Sequence, residues 1–395
     1  MNNTQNGRTR TGSLISLVTI MSALVSPLAH ADSAIKVGAL ATLSGPMTLP
    51  ESPAAAQAVF DRVNQQGGIQ GRRIEYVVQD DKGDAGITAQ SSRELVDSQG
   101  VVAFAGSASL QDCTVNGNFY RQRNVLSIPG VGGEFSCYSN RQFAPVSVGP
   151  ARGSLAALYF ASEKLGKKKV CAFLLGIPAH MPGNAWTIRQ YQAITHKKLA
   201  LVDTTTLPSD DMTPHVLRAR DAGCDAIVFA GAEQMDLAWV KAMQMQNMGN
   251  VTLILDTPAY TSNFAQILGT KGDGIYANSE YEPFLGTAPA LTDWRNLMQQ
   301  SKVPLSSFAQ GGYISATLLV EALKKVKGPI TRESVTEALR SITGENALHT
   351  PMLGMPFDFG VDSDHLSTSA TKFVELKDGK WETVTPDFMA IKPAK

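Results

Sequence analysis

The sequence predicts an α/β fold built as two doubly wound lobes. Three observations carry this prediction. Strand-type and helix-type segments alternate along the chain. The rhythm breaks once, at residues 143–152, and then restarts. A leader of 31 residues would leave 395 − 31 = 364 residues, more than a single core usually serves.

Element by element, residues 35–43 (IKVGALATL) form the first strand and end in the turn SGP. A helix follows, with Ala56, Val59, Phe60 and Val63 spaced to share one face. The stretch GGIQG, Gly67 to Gly71, leads into the strand IEYVVQD, where Ile74, Tyr76 and Val78 alternate with Glu75, Val77 and Gln79. Asp84 is placed to cap a helix through Leu95, residues 101–105 make the next strand, residues 114–123 a helix, and 125–130 the fourth strand. After the break come a helix at 153–165, the strand VCAFLL, a helix at 186–195, the strand at 199–207 and a helix opened by Thr213-Pro214, a threonine cap before proline at the first helical position. DAIVFAG, a helix at 236–247, VTLILD and GIYANS complete the second series. The tail adds helices at 308–326 and 331–342. MPFDFG and TKFVELKDGKWETV read as strands, the latter with a Lys377-Asp378-Gly379 hairpin signal. Strand–helix–strand spacing of this kind implies right-handed crossovers and mostly parallel sheets covered by helices.

Residues 1–31 read as a cleavable export signal. Arg8 and Arg10 precede an apolar run at 14–28, and Ala29-His30-Ala31 supplies the small-x-small pattern before Asp32. An apolar run of about 15 residues is shorter than the ~20 a spanning helix needs. Without the leader the charge is 33 − 35 = −2, which points to neither nucleic acid nor an anionic membrane as partner. Four cysteines in an exported chain invite pairing. Joining Cys113 to Cys137 and Cys171 to Cys224 keeps each bridge within one lobe, and is the preferred connectivity of three. The alternative for the second pair is two small buried hydrophobic side chains.

The chemistry of catalysis is hard to find. GGIQG follows a helix and precedes a strand, the reverse of a dinucleotide fingerprint, so it reads as a helix stop that needs φ > 0. GVGG at 130–133 lacks the third glycine spacing. There is no G-x-S-x-G, H-E-x-x-H or C-x-x-C, and His180, His196, His215, His349 and His365 are scattered. No catalytic residue, metal site or cofactor is expected.

The carboxyl ends of the strands, where open α/β sheets bind ligands, are instead rich in small polar residues. They include Thr42 to Gly45, Gly106 to Ser109, Gly130 to Gly132, Ala230 to Glu233 and Asp256-Thr257. Hydroxyls and free N–H groups at helix starts suit a carboxylate, although each serine could equally be a plain cap.

With these elements placed, the chain resembles the periplasmic substrate-binding proteins of ABC transporters of the branched-chain amino-acid (Leu/Ile/Val-binding) type. The matching pieces are IKVGALATLSGP, NQQGGIQGRRIEYVVQDD, RELVDSQGVVAFAG, YRQRNVLSIPG, CDAIVFAG and FAQGGYISATLLVEAL, in order along nearly the whole chain after the leader. The resemblance implies a type I periplasmic-binding-protein fold, two Rossmann-like lobes joined by three hinge crossovers. It divides the chain into 32–147 with 280–348 for the N-terminal lobe, and 148–279 with 349–395 for the C-terminal lobe. It implies no enzyme activity. The expected role is capture of a small carboxylate-bearing solute, an amino acid or related compound, by a monomeric periplasmic protein that delivers it to ABC permease subunits. A sensory binding protein for an aromatic acid or amide is the alternative.

Carried over piece by piece, the family pocket implies that Ser107, Ser109, Leu110 and Gln111, with Gly130, Val131 and Gly132, hold the carboxylate. Met181, Ala232, Glu233, Asp256 and Tyr260 come from the other lobe, and Phe308 lines the apolar side. A Cys113–Cys137 bridge beside the pocket fits a subgroup of the family. Two departures matter. The glutamate that grips the α-ammonium near Pro258 is replaced by LDTPAY, with only Asp256 and Glu233 close, and the carboxylate loop reads SASLQDC. Both leave an aromatic acid, an amide or another carboxylate in contention beside leucine, isoleucine and valine.

Overall fold

The computed structural model describes residues 34–45, 47–360 and 369–394. The expected export signal at 1–31 and His365 lie outside them.

The first lobe is built on four parallel strands, β1 (Ile35–Ala41), β2 (Ile74–Asp80), β3 (Ala103–Ala105) and β4 (Ser127–Ile128), in the order β2-β1-β3-β4. Between them run α1 (Glu51–Gln65), α2 (Ala85–Arg93) and α3 (Asp112–Gln122). α1 forms where its apolar residues fall on one face: Ala56, Val59 and Phe60 are all buried. Truncating Phe60 to alanine would cost about 3–5 kcal/mol by the usual cavity penalty. Asp84 caps α2 by accepting the Ile87 N–H at 2.9 Å.

The GGIQG stretch is the helix stop that its polarity implies. Gly67, Gly68, Gln70 and Gly71 all have positive φ, and Ile69 and Arg72 pair around the two-residue turn Gln70-Gly71. A Cβ on Gly68 would meet the Arg72 carbonyl oxygen at 2.0 Å. The Gln70 side chain bonds the Val326 carbonyl, so the turn is tied to the end of the long helix α10 (Ser307–Lys325).

The second sheet holds five parallel strands, β5 (Val170–Leu175), β6 (Leu201–Thr206), β7 (Ala226–Ala230), β8 (Thr252–Leu255) and β9 (Tyr276–Ser279). The tail adds β10 (Ala370–Lys377) antiparallel to β9, with β11 (Lys380–Thr383) and β12 (Met389–Ala390) on β10. The path is β11-β10-β9-β8-β7-β5-β6. Its helices are α4 (Pro150–Tyr159), α5 (Met181–Thr195), α6 (Thr213–Asp221), α7 (Glu233–Met245) and α8 (Ser262–Leu268). After β9 the chain returns to the first lobe, where α9 (Pro289–Gln300), α10 and α11 (Arg332–Arg340) pack around α1 and β3, and it then goes back for β10. Three passages therefore join two α/β lobes. α1 and α10 approach closely because α10 carries Gly312, where a Cβ would meet the Ser52 carbonyl oxygen at 1.9 Å.

The bridges are Cys113–Cys137, within the first lobe, and Cys171–Cys224, within the second. Some local expectations fail. MPFDFG forms no strand; only Leu348 and Phe357 pair, and Phe357 and Phe359 are spent on the core instead. Thr213 is not a cap: Met212 occupies that position and no side chain caps α6. Helices α8 and α9 go beyond the sequence expectation.

Candidate functional site

The carboxyl ends of both sheets face a cavity of about 220 Å³ between the lobes. The first lobe contributes Met47 to Glu51, Leu110, Val131 to Gly133, Ser147, Ser306 and Phe308. The second contributes Gly149, Pro150, Leu175, His180, Ala230 to Gln234, Asp256 to Pro258 and Thr261, and Glu280 stands where the chain leaves β9 for the first lobe.

Local sequence explains how these residues arrive there. The aspartate pair ending β2 pins the β1–α1 connection: Asp80 accepts the Leu43 and Ser44 N–H groups and the Ser44 hydroxyl, and Asp81 accepts the Thr42 hydroxyl. That connection leads directly into Met47 to Glu51. On the other side, Asp256 follows β8 and Glu280 follows β9, so both acids stand at strand ends. The helices α1, α4 and α7 start at the cavity wall, and none has a side-chain cap. Pro150 has no N–H, the Gly149 N–H goes to Glu280 and the Glu51 carboxylate takes its own N–H, so of the three it is the start of α7 that leaves first-turn N–H groups to an anion, where the helix dipole favours one.

The charges in the wall are unbalanced. Asp256 is 8% exposed; it takes the Thr257 N–H on one oxygen, and burial pushes its carboxyl up to about 6. Glu280 is 6% exposed and accepts the Gly149 N–H at 2.7 Å. Burial, with the charge of Asp256 adding to it, pushes Glu280 up to about 8. The Asn278 side chain also steadies the Asp256 carboxylate, and the Val148 N–H that of Glu280. Behind Gly231 lies Asp236, fully buried with neither oxygen partnered and raised well above the ordinary carboxylate range by burial. Glu51 and Glu233 add two more acids, and burial raises Glu51. His180 is pushed down to about 4 by burial, so it is neutral at pH 7. No lysine or arginine is among the lining residues.

Of the residues expected from sequence, Leu110, Val131, Gly132, Ala232, Glu233, Asp256 and Phe308 meet at this cavity. Six others do not line it. The Ser107 hydroxyl accepts the Leu40 N–H, and Ser109 accepts the Gln111 and Asp112 N–H groups, so both are occupied in holding their own loop. The Gln111 side chain reaches the Gly83 carbonyl. Gly130 packs against α10, where a Cβ would meet the Gly312 nitrogen at 2.9 Å. Met181 opens α5 and is 44% exposed, and Tyr260 is buried in a stack with Phe284 at 4.2 Å. Glu51, His180 and Glu280 line the cavity without having been singled out. Glu280 was within reach of the strand-end rule, being the residue after GIYANS.

One group of metal-ligand type occurs among the described residues, Cys113, Glu134 and Cys137. Both sulfurs are spent in the disulfide, and Glu134 accepts the Cys113 and Thr114 N–H groups at the start of α3. The cluster closes the α3 end rather than offering ligands.

A family profile described as "Periplasmic binding protein" matches residues 34–380. The Leu/Ile/Val-binding protein homolog 7 of Brucella melitensis is 23% identical over 394 residues, covering 94% of this chain and 96% of its own. Among solved structures, a fatty acid ABC transporter substrate-binding protein from Thermomonospora curvata superposes with a TM-score of 0.76 at 20% identity, over 91% of this chain and 93% of its own. A branched-chain amino-acid transporter substrate-binding protein from Streptococcus pneumoniae, in complex with isoleucine, gives 0.73 at 20% identity, over 90% and 100%.

Proposed function

We propose a solute-capture and delivery role for this chain, which belongs to the periplasmic binding protein family. The solute is a small amino-bearing carboxylate held between the lobes, and an ABC permease receives it. The observation that carries this reading is the double character of the wall. The uncapped start of α7 suits a carboxylate, while the buried carboxyls of Asp256 and Glu280 suit an ammonium group. Leu49, Leu110, Val131, Leu175 and Phe308 supply the apolar remainder. The volume falls below the ~300–1,000 Å³ of drug-sized sites, which suits a metabolite of amino-acid size.

The lobes of this reading comprise 32–147 with 280–348, and 148–279 with 349–395. Closure about their connections would bury the solute and present a surface to the permease, with no bond made or broken. Export through a signal cleaved before Asp32, a periplasmic location and a monomeric state complete it. A thermal-shift screen of amino acids, aromatic acids, fatty acids and amides tests the whole. Amino acids should raise Tm, by the equivalent of about 2.7 kcal/mol at a hundredfold excess over Kd. Turnover of a stabilising compound, or stabilisation by acids lacking an amino group alone, would overturn it.

A further inference from the structure

The acids of the wall fall into two sets, and an amino acid with a neutral side chain answers only one of them. Asp256 and Glu280 form the inner set, both more than nine-tenths buried and both lining the cavity. One α-ammonium group satisfies that set. Glu51 and Glu233 form the second, and they come from different lobes: Glu51 is the first residue of α1, Glu233 the first of α7. They are close enough for the charge of Glu233 to add to the proton affinity of Glu51. Glu233 is also held in position, accepting from the Thr261 hydroxyl at 3.1 Å and from the Asn263 amide.

We propose that the solute is a diamino acid of lysine or ornithine type, its side-chain cation seated between Glu51 of one lobe and Glu233 of the other. This rests on the binding reading above and deepens it. With no lysine or arginine among the described lining residues, two like charges stand on the wall from opposite lobes and oppose closure. A cation between them turns that repulsion into a bridge, so lobe closure becomes selective for the doubly cationic solute. A neutral side chain leaves the pair unpaired, a built-in penalty against the wrong ligand. The same charge balance disfavours a simple carboxylate, which would bring one more negative charge into an acidic wall.

Titration calorimetry on the full protein with L-lysine, L-leucine and 4-hydroxybenzoate tests this. L-lysine should bind at least about tenfold more tightly than L-leucine. The E51Q/E233Q double variant should bring the two within roughly threefold of each other. L-leucine binding as tightly as L-lysine, or an unchanged ratio in a double variant that keeps its circular-dichroism spectrum, would overturn the diamino assignment while leaving amino-acid capture standing. Binding of 4-hydroxybenzoate alone, or of none of the three, would remove both.

Discussion

The second sheet carries two buried acidic clusters that behave in opposite ways. On β6, beside α6, Asp203 is 3% exposed yet fully answered. It accepts the Thr205 N–H and hydroxyl, His215 Nδ1 at 2.8 Å and the Arg218 guanidinium. Burial would raise its carboxyl, but the Thr205 and His215 bonds and the Arg218 charge hold it below the ordinary range. At the ends of β8 and β9, Asp256 and Glu280 are also buried, they form no salt bridge among the described residues, and burial raises both. A buried carboxylate that is paired costs little and fixes structure. One that burial raises at a cavity wall lowers stability, and such groups cluster at functional sites.

The comparison breaks most visibly in affinity. Asp256→Ala should weaken amino-acid binding by about 2–5 kcal/mol, the usual loss when a buried charge pair is cut. Titration calorimetry measures this, and unchanged affinity would move the ammonium site elsewhere. Asp203→Asn should leave affinity intact and lower stability by about 2–3 kcal/mol, since Arg218 and His215 lose their shared acceptor. Asp256→Asn should leave the ligand-free protein at least as stable as the parent. Urea unfolding of both variants tests the contrast, and equal losses would erase it.

The pH response should also differ in sign. Glu280 and Asp256 bind protons more tightly folded than unfolded, so their contribution is full below about pH 4 and is lost as pH rises through about 6 and about 8. Asp203 is depressed, so its contribution is present above its unfolded value and is lost as pH falls through its lower folded value. Between pH 5 and pH 8 the Glu280→Gln variant should therefore lose less stability than the parent. An identical pH slope for the two proteins would remove Glu280 from this account. The smallest effect belongs to the far end of the first lobe. Gly71 has φ 77° with open space around it, so Gly71→Ala should cost about 1 kcal/mol of backbone strain and leave affinity unchanged.

The fold was legible because strand and helix periods leave long signals, and because GGIQG could be oriented by its neighbours. α9 had such a signal as well, with Leu291, Trp294, Leu297 and Met298 on its buried face. α8 spans seven residues, too few for a period to emerge. MPFDFG alternates as a strand would, but Phe357 and Phe359 serve the core without a ladder, and alternation alone does not distinguish the two. At the site, the strand-end rule located the cavity and Asp256. It could not tell which hydroxyls were free. Ser107 and Ser109 are consumed by backbone groups of their own lobe, and that competition is settled only in three dimensions. The missing ammonium glutamate near Pro258 looked like a loss from the pocket. Glu280, from the neighbouring strand, puts a carboxylate back into that wall.

Proton release on binding tests the central claim most directly. At pH 7 the Glu280 carboxyl, raised to about 8, is mostly protonated, and an ammonium group docked between it and Asp256 must displace that proton. Calorimetry of L-lysine binding, or of L-leucine should that bind more tightly, in buffers of different ionisation enthalpy counts the protons. The account predicts release of about one proton per solute in the parent and none in Glu280→Gln. No release from the parent, or net uptake, would contradict it.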